Sequence, residues 1–304
     1  MATKVTTSRA GVVPAPETKA VGREPSYYVL MTIRYAVLLL MTVIFLGPFI
    51  MALLGSFKTN LEVLTWPPTF FPTEWRLDNY ASVWNVLPDP AGNSYFPRWI
   101  LNSFILSASI VIAQLFFCSL AGFAFARLNF PGKGIVFAAM LSTMMIPGMV
   151  LMIPKYQILN AVGLVNTYWA LIIPGMVSAG MIFMLTQFFR SIPKDLDEAA
   201  WIDGAGIFTT YWRIILPLAK PALATLALLT FQGVWNTYLD ALVLLQTPDM
   251  YPLTVGLGFL KGQYATSYNI VLAGSMFNTV PMVLLFMIFS RFYVQGATYS
   301  GVKG

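Results

Sequence analysis

The sequence predicts an all-α protein: a polytopic bundle of six membrane-spanning helices, both termini cytoplasmic, with a further cytoplasmic helix between spans four and five. Three observations carry that expectation. Of 304 residues, 58% are hydrophobic and only 10% charged, against about 25% charged in an ordinary soluble domain. Apolar stretches recur between isolated charges, and roughly 20 such residues suffice to cross a bilayer core. The Lys and Arg residues are also unevenly placed. With six spans and both termini inside, 13 of the 18 fall on the cytoplasmic side and 5 outside, while the 12 acids divide evenly. That is the positive-inside pattern, and it accounts for the net charge of +6 without nucleic acid.

The same composition narrows the chemistry. There is no histidine, which excludes His-based triads, His metal sites and imidazole proton relays. The single cysteine, Cys118, excludes an internal disulfide and a thiolate metal cluster. No catalytic residue and no metal site is expected.

Taken in order, residues 1–30 are rich in Thr, Ala, Val and Pro without an apolar period, and read as a disordered cytoplasmic tail. Span one is expected at 35–57, between Arg34 and Lys58. It is too long for a cleaved signal peptide and lacks a small-residue cleavage signal. The outside segment 58–98 holds Trp66, Trp75, Trp84 and several prolines, a composition suited to a braced loop at the membrane interface, where tryptophan is favoured, or to docking a partner. Spans two and three follow at 99–126 and 134–154. Residues 156–189 carry no charge and are too long for one crossing. Asn160 to Gly163 supply a turn, which leaves span four at 166–189. Spans five and six are expected at 221–240 and 270–290.

The segment 191–217 is too long for a simple connector between helices. Pro193 suits a first helical position, and Asp195, Asp197 and Glu198 suit the positive end of a helix dipole. Ile192, Leu196, Ala199 and Ala200 fall at helical spacing, giving one apolar face. Gly204 and Gly206 then end the helix, and a second short helix over about 207–215 carries Tyr211, Ile214 and Ile215. An amphipathic helix capping the bundle explains the apolar face. A docking surface explains the small Ala199-Ala200 pair beside the Glu198 carboxylate, followed at fixed spacing by glycine.

Polar groups at membrane depth are costly unless they face a cavity or a partner. The candidates are Asn102, Gln114, Gln187, Gln232, Asn236, Asp240 and Asn278. Gln232, Asn236 and Asp240 are spaced by four, on one face of span five, with Trp235 and Tyr238 beside them. Amides next to aromatic planes suit uncharged sugars; inter-helix hydrogen bonding is the plainer account of each. Asp240 sits near the outer end of its span, where ordinary solvation is the other reading.

The spacing Glu198-Ala199-Ala200, Gly204, Ile214, Leu216-Pro217 matches the signature of permease subunits of ABC-type importers. Further stretches, Ala121 to Arg127, Met145-Ile146-Pro147-Gly148, Gly163 to Tyr168, Leu253-Thr254-Val255-Gly256 and Gly301 to Gly304, resemble the maltose-type carbohydrate permeases, specifically their six-span second subunit. The likeness covers roughly residues 30–304.

The resemblance implies that 191–217 is a coupling segment docking on a separate ATPase subunit, with Glu198, Ala199, Ala200, Asp203, Gly204, Ile214, Leu216 and Pro217 in the contact. It implies a binding-protein-dependent importer in the cytoplasmic (inner) membrane. Its partners would be a second permease in a heterodimer, two ABC ATPases, an extracellular solute-binding protein and a di- or oligosaccharide substrate. Gln232, Trp235, Asn236, Tyr238, Asp240 and Asn278 become the expected substrate pathway. The loop 247–269, with Gly258, Phe259 and Tyr264, becomes the expected contact with the binding protein, or else a flexible connector. Val302 to Gly304 would touch the ATPase, as that family's tails do, or form a plain tail. No cofactor is expected on this chain. ATP and Mg belong on the partner ATPase, consistent with the absence of a G-x-x-x-x-G-K-[ST] loop. The rival classes are a stand-alone secondary transporter or channel, which needs coupling-ion sites or broken helices, usually in two related halves, and an importer permease for a non-sugar solute. Pro174-Gly175 and Pro281 could break helices, but the acids near the spans are terminal and no repeat is evident. An intramembrane enzyme would need a paired catalytic constellation, which the sparse embedded acids do not supply.

Overall fold

The protein is described by a computed structural model covering residues 25–85, 88, 90–263 and 267–301. Among these residues the secondary structure is helical, with a lone β-bridge between Pro88 and Ser94. The chain divides into two units, residues 1–51 and 52–304.

The first unit is helix α1, which runs Pro25–Gly55 and so ends just inside the second. It starts ten residues before the expected span, so residues 25–30 are helical and the rest of the expected tail lies outside the described residues. Val37, Leu39, Phe45 and Phe49 are all exposed. A helix apolar all round is built for lipid.

In the second unit, α2 (Asn60–Leu64) and α3 (Asp78–Trp84) give the 58–98 segment a fold of its own. The Asn79 amide donates to the carbonyls of Ser56 (2.8 Å) and Lys58 (2.9 Å), and its oxygen accepts from Asn269 at 2.8 Å. The buried Lys58 ammonium is held by the Thr69 carbonyl and hydroxyl. Trp66, Phe70, Phe71 and Trp75 stay exposed.

Helix α4 (Phe96–Arg127) is the axis of this unit. Two apolar clusters sit at its two ends: Phe96 and Trp99 with Trp235, Leu253 and Leu260 at one, Cys118 and Phe123 with Leu185, Phe189, Tyr211 and Ile215 at the other. Expected span three is not one helix. α5 (Lys133–Thr143) stops after 11 residues, turns fill 144–151, and α6 covers Met152–Ala161. Pro147 lacks an N–H and obstructs the preceding turn, and Gly148 weakens helix further. The turn read from Asn160 to Gly163 is present, Gly163 having φ +71°. Span four is α7 (Trp169–Gly175) and α8 (Ala179–Ser191), parted next to Pro174-Gly175.

The next segment holds α9 (Asp195–Ile202), α10 (Ile207–Thr210), a π-helical turn Tyr211–Ile215 and α11 (Leu216–Leu218). The 207–218 run meets α12 (Lys220–Trp235) at 75°. Span five was expected to reach 240, but α12 ends at Trp235, and α13 (Leu239–Leu244) starts after a break. Residues 247–269, expected as an outside loop, contain α14 (Leu253–Gln263), with Leu253, Val255 and Leu260 buried in the core, so the alternative of a flexible connector does not hold. Helix α15 (Tyr268–Gly301) closes the unit. By length and composition, four helices among the described residues can cross a membrane, or five if the bent 207–235 pair is counted as one.

Candidate functional site

The 191–217 segment folds as two short helices around a sharp corner. Asp195, Asp197 and Glu198 occupy the first turn of α9, where the exposed N–H groups favour negative charge. Gly204, at φ +83°, ends the helix. Its N–H reaches the Trp201 carbonyl (3.0 Å) and the Ala205 N–H reaches the Ala200 carbonyl (2.8 Å), the paired bonds of a Schellman cap. A side chain at that φ is strained, so the glycine fixes where the chain turns.

Which face is buried differs from the expectation. Ile192 and Ala200 are buried, but Leu196 is 41% exposed and Asp197 takes the inward position. The cause is Arg127, the last residue of α4. Its Nε lies 2.8 Å from Asp197 Oδ2, with the two side chains 3% and 5% exposed, and its Nη2 donates to the Ile192 carbonyl at 2.7 Å. Burial pushes the Asp197 carboxyl up, against the pull of Arg127 and Lys194. Periodicity counted apolar residues and so missed this pair. The available signal was a lone arginine closing a long apolar run while four of the twelve acids crowd one segment, since a charge is seldom buried without a partner.

The second half of the segment is anchored by Tyr211, buried against Phe123, with its hydroxyl 2.7 Å from that of Ser119 on α4. Ile215 is also buried, while Ile214 and Leu216 are half-buried. What remains outward is a set of surface residues: Glu198, Ala199, Ile202, Asp203, Gly204 and, beyond the corner, Phe208, with Pro217 exposed further on. Ile202 is 86% exposed. Large apolar groups left open beside a carboxylate and small residues form a surface suited to docking.

The residues expected along span five do not share one face, because the helix breaks among them. Gln232 and Asn236 remain together: the Asn236 amide donates to the Gln232 carbonyl (2.9 Å), and Asn278 of α15 donates to Asn236 Oδ1 at 3.2 Å. Gln232 and Asn236 are exposed. Trp235 is instead a core residue, stacked on Phe231 and donating to the Asn278 carbonyl at 3.2 Å. Asp240 lies past the break and pairs with Lys155 of α6 at 2.5 Å. Both line a cavity of about 180 Å³ with Ser103, Gln114, Thr237 and Val234. Gln114 is tied into the fold, donating to the Gly175 carbonyl (2.7 Å) and accepting from Thr230 (3.1 Å). Gln187 is exposed. Asn102 is structural as well: it donates to the carbonyls of Asp249 (2.8 Å) and Tyr251 (2.9 Å) and accepts from the Tyr168 hydroxyl (2.7 Å).

In the expected binding-protein contact, Tyr238 packs on Gly258, where an added Cβ would lie 3.0 Å from the ring. Phe259 is partly exposed and stacks on Tyr251. Tyr264 and the terminal Val302 to Gly304 lie outside the described residues.

Residues 118–295 match the family described as the binding-protein-dependent transport system inner membrane component. The arabinooligosaccharides transport system permease protein AraQ of Halalkalibacterium halodurans is 36% identical, the match covering 90% of this chain and 96% of that one. The diacetylchitobiose uptake system permease protein NgcG of Streptomyces coelicolor is 32% identical over 85% of this chain and 84% of its own. A crystal structure of a bacterial ABC transporter importing the acidic polysaccharide alginate superposes with a TM-score of 0.75 at 23% identity. It covers 89% of this chain and 98% of that one.

Proposed function

The chain belongs to the binding-protein-dependent transport system inner membrane component family, and on that premise we propose that it is a permease subunit of an importer that carries a di- or oligosaccharide across the cytoplasmic membrane. Substrate access alternates between the two sides, driven by ATP hydrolysed, with Mg, on two separate ATPase subunits. A second permease completes a heterodimeric core, and an extracellular binding protein delivers the sugar. Two relatives named for arabinooligosaccharides and diacetylchitobiose support the substrate class.

The chain crosses the membrane six times with both termini in the cytoplasm: α1, α4, the broken α5–α6 pair, α7–α8, α12–α13 and α15. The bias of Lys and Arg supports that orientation. In the resulting topology α9 and its corner face the cytoplasm, Glu198 offers the ATPase a charge, Ala199 allows close approach, and Gly204 fixes the turn. The exposed Gln232 and Asn236, with the half-buried Asn278 bonded to Asn236, support a hydroxyl-binding surface toward the second permease.

The single observation that carries the reading is the outward surface of α9 and its Gly204 corner, tied to the bundle through Arg127 and Tyr211. The test is purification with the ATPase and second permease, followed by ATPase assays with the binding protein and a panel of arabinotriose, chitobiose and maltotriose. Co-purification and stimulation by at least one sugar are expected. Stimulation by none would remove the substrate class, and Glu198→Lys or Gly204→Val variants that assemble and transport normally would remove the coupling assignment.

A further inference from the structure

We propose that Arg127 is a positioning residue, gripping the coupling segment at two points so that motion of α9 is delivered to α4. The inference rests on the importer reading above. One guanidinium joins three elements: it ends α4, pairs with Asp197 in the first turn of α9, and donates to the Ile192 carbonyl where α8 stops.

A buried ion pair is weak evidence of a stabilising role, because apolar residues of similar volume often serve as well or better. The burial here is nearly complete, the 2.8 Å contact from Nε to Oδ2 is an ion pair, and neither Arg127 Nε nor Asp197 Oδ1 makes a hydrogen bond. The pair is therefore a costly way to fill that space. What it supplies is direction. Apolar surfaces can slide past one another, whereas this guanidinium holds Asp197 by a buried charge pair and the Ile192 carbonyl by a directed hydrogen bond, so parting either leaves a buried charge or donor unpaired.

The neighbouring anchor, Tyr211 to Ser119, also ends on α4. Both polar ties of the segment thus converge on one helix. Further along, that helix carries Ser103, Leu106, Ile110 and Gln114, which form one wall of the cavity facing Thr237 and Asp240. A displacement of α9 is passed through Arg127 to α4 and on to that wall.

The chain's one cysteine, Cys118, is buried on α4 and gives a readout that needs no sugar. The assembled importer is made with cysteine-free partner subunits, and Cys118 labelling by a maleimide is timed with and without ATP and vanadate. In the wild type, trapping is expected to change the labelling rate several-fold. In the Arg127→Met/Asp197→Leu pair, which removes both charges together, assembly with the ATPase and its basal turnover are expected to persist. The trapping response should vanish and transported sugar per ATP should fall at least ten-fold. Arg127→Lys keeps the charge but cannot hold both partners, so an intermediate response is expected.

The proposal is overturned if the wild-type rate does not respond, if the double variant responds or transports like wild type, if it fails to assemble, or if Arg127→Lys is indistinguishable from wild type. A wild-type chain that does not associate with an ATPase at all would instead remove the importer reading.

Discussion

The indole of Trp99 lies directly against the backbone of Gly256: a Cβ built on that glycine would sit 2.0 Å from the ring. The same indole donates to the Pro248 carbonyl at 2.7 Å. One residue of α4 therefore seats both α14 and the strand of chain that leads into it. Gly256→Ala is expected to lower stability by roughly 2–3 kcal/mol, the upper range for overpacking a filled core. Adding Trp99→Leu should recover part of that loss. Thermal unfolding of the purified protein in detergent is the measurement, and an unchanged midpoint for Gly256→Ala would contradict the close approach.

Asn102 holds the 249–251 stretch through two backbone carbonyls while accepting from Tyr168. Asn102→Ala leaves these groups without their partner, at a cost of about 1–3 kcal/mol. Amide exchange in 248–253 should quicken by at least ten-fold. If exchange there is unaltered while sugar recognition changes, Asn102 belongs to the substrate path and not to the frame.

The Lys155–Asp240 pair joins two helices that both follow breaks, and its side chains are 26% and 44% exposed. Partial exposure keeps the attraction screened, so a double-mutant cycle with Lys155→Met and Asp240→Asn should return about 1 kcal/mol or less. A coupling energy above roughly 2 kcal/mol would show a site drier than this geometry implies.

Glu62 lends the outer segment a dependence on pH. Partial burial works against its carboxylate, yet the Thr73 backbone N–H (3.0 Å), the Thr69 and Thr73 hydroxyls and the nearby Lys58 charge together hold its pKa below the ordinary value. The depressed value means that the folded segment is favoured above the unfolded carboxyl's pKa, and that this contribution is lost as pH falls through the folded one. Protease resistance of residues 58–85 should therefore drop on acidification below the usual carboxylate range, and Glu62→Gln should flatten the profile. A wild-type profile as flat as the variant's would exclude the carboxylate as its source.

Much of the fold was legible along the chain because the bilayer imposes a long-wavelength pattern. Apolar runs between Arg34, Lys58, Arg98 and Arg127 locate α1 and α4 to within a few residues at most ends, since burial of a charge is costly there. Gly163 and Gly204 were legible for a local reason, each taking the positive φ that a turn needs. The breaks were harder. Pro147-Gly148 interrupts one expected span, and Asn236 to Tyr238 interrupts another without any proline. The mid-membrane amides were ambiguous for a different cause. A polar side chain has the same sequence signature whether it faces a cavity, as Asp240 does, or clamps a neighbouring backbone, as Asn102 does.

The sequence by itself determined the solvent and the class: thirty charges among 304 residues suit a protein bathed in lipid, and the Glu198 to Pro217 spacing carried the family resemblance. Those properties are local or summed, so they can be counted. Only the tertiary structure decided that Asp197 turns inward to Arg127, that Trp235 belongs to the core, and that α14 is packed helix where a loop was expected. Each of those outcomes depends on groups far apart in the chain, 70 residues for Arg127 and Asp197 and 157 for Trp99 and Gly256. No period read along a single helix contains a partner on another.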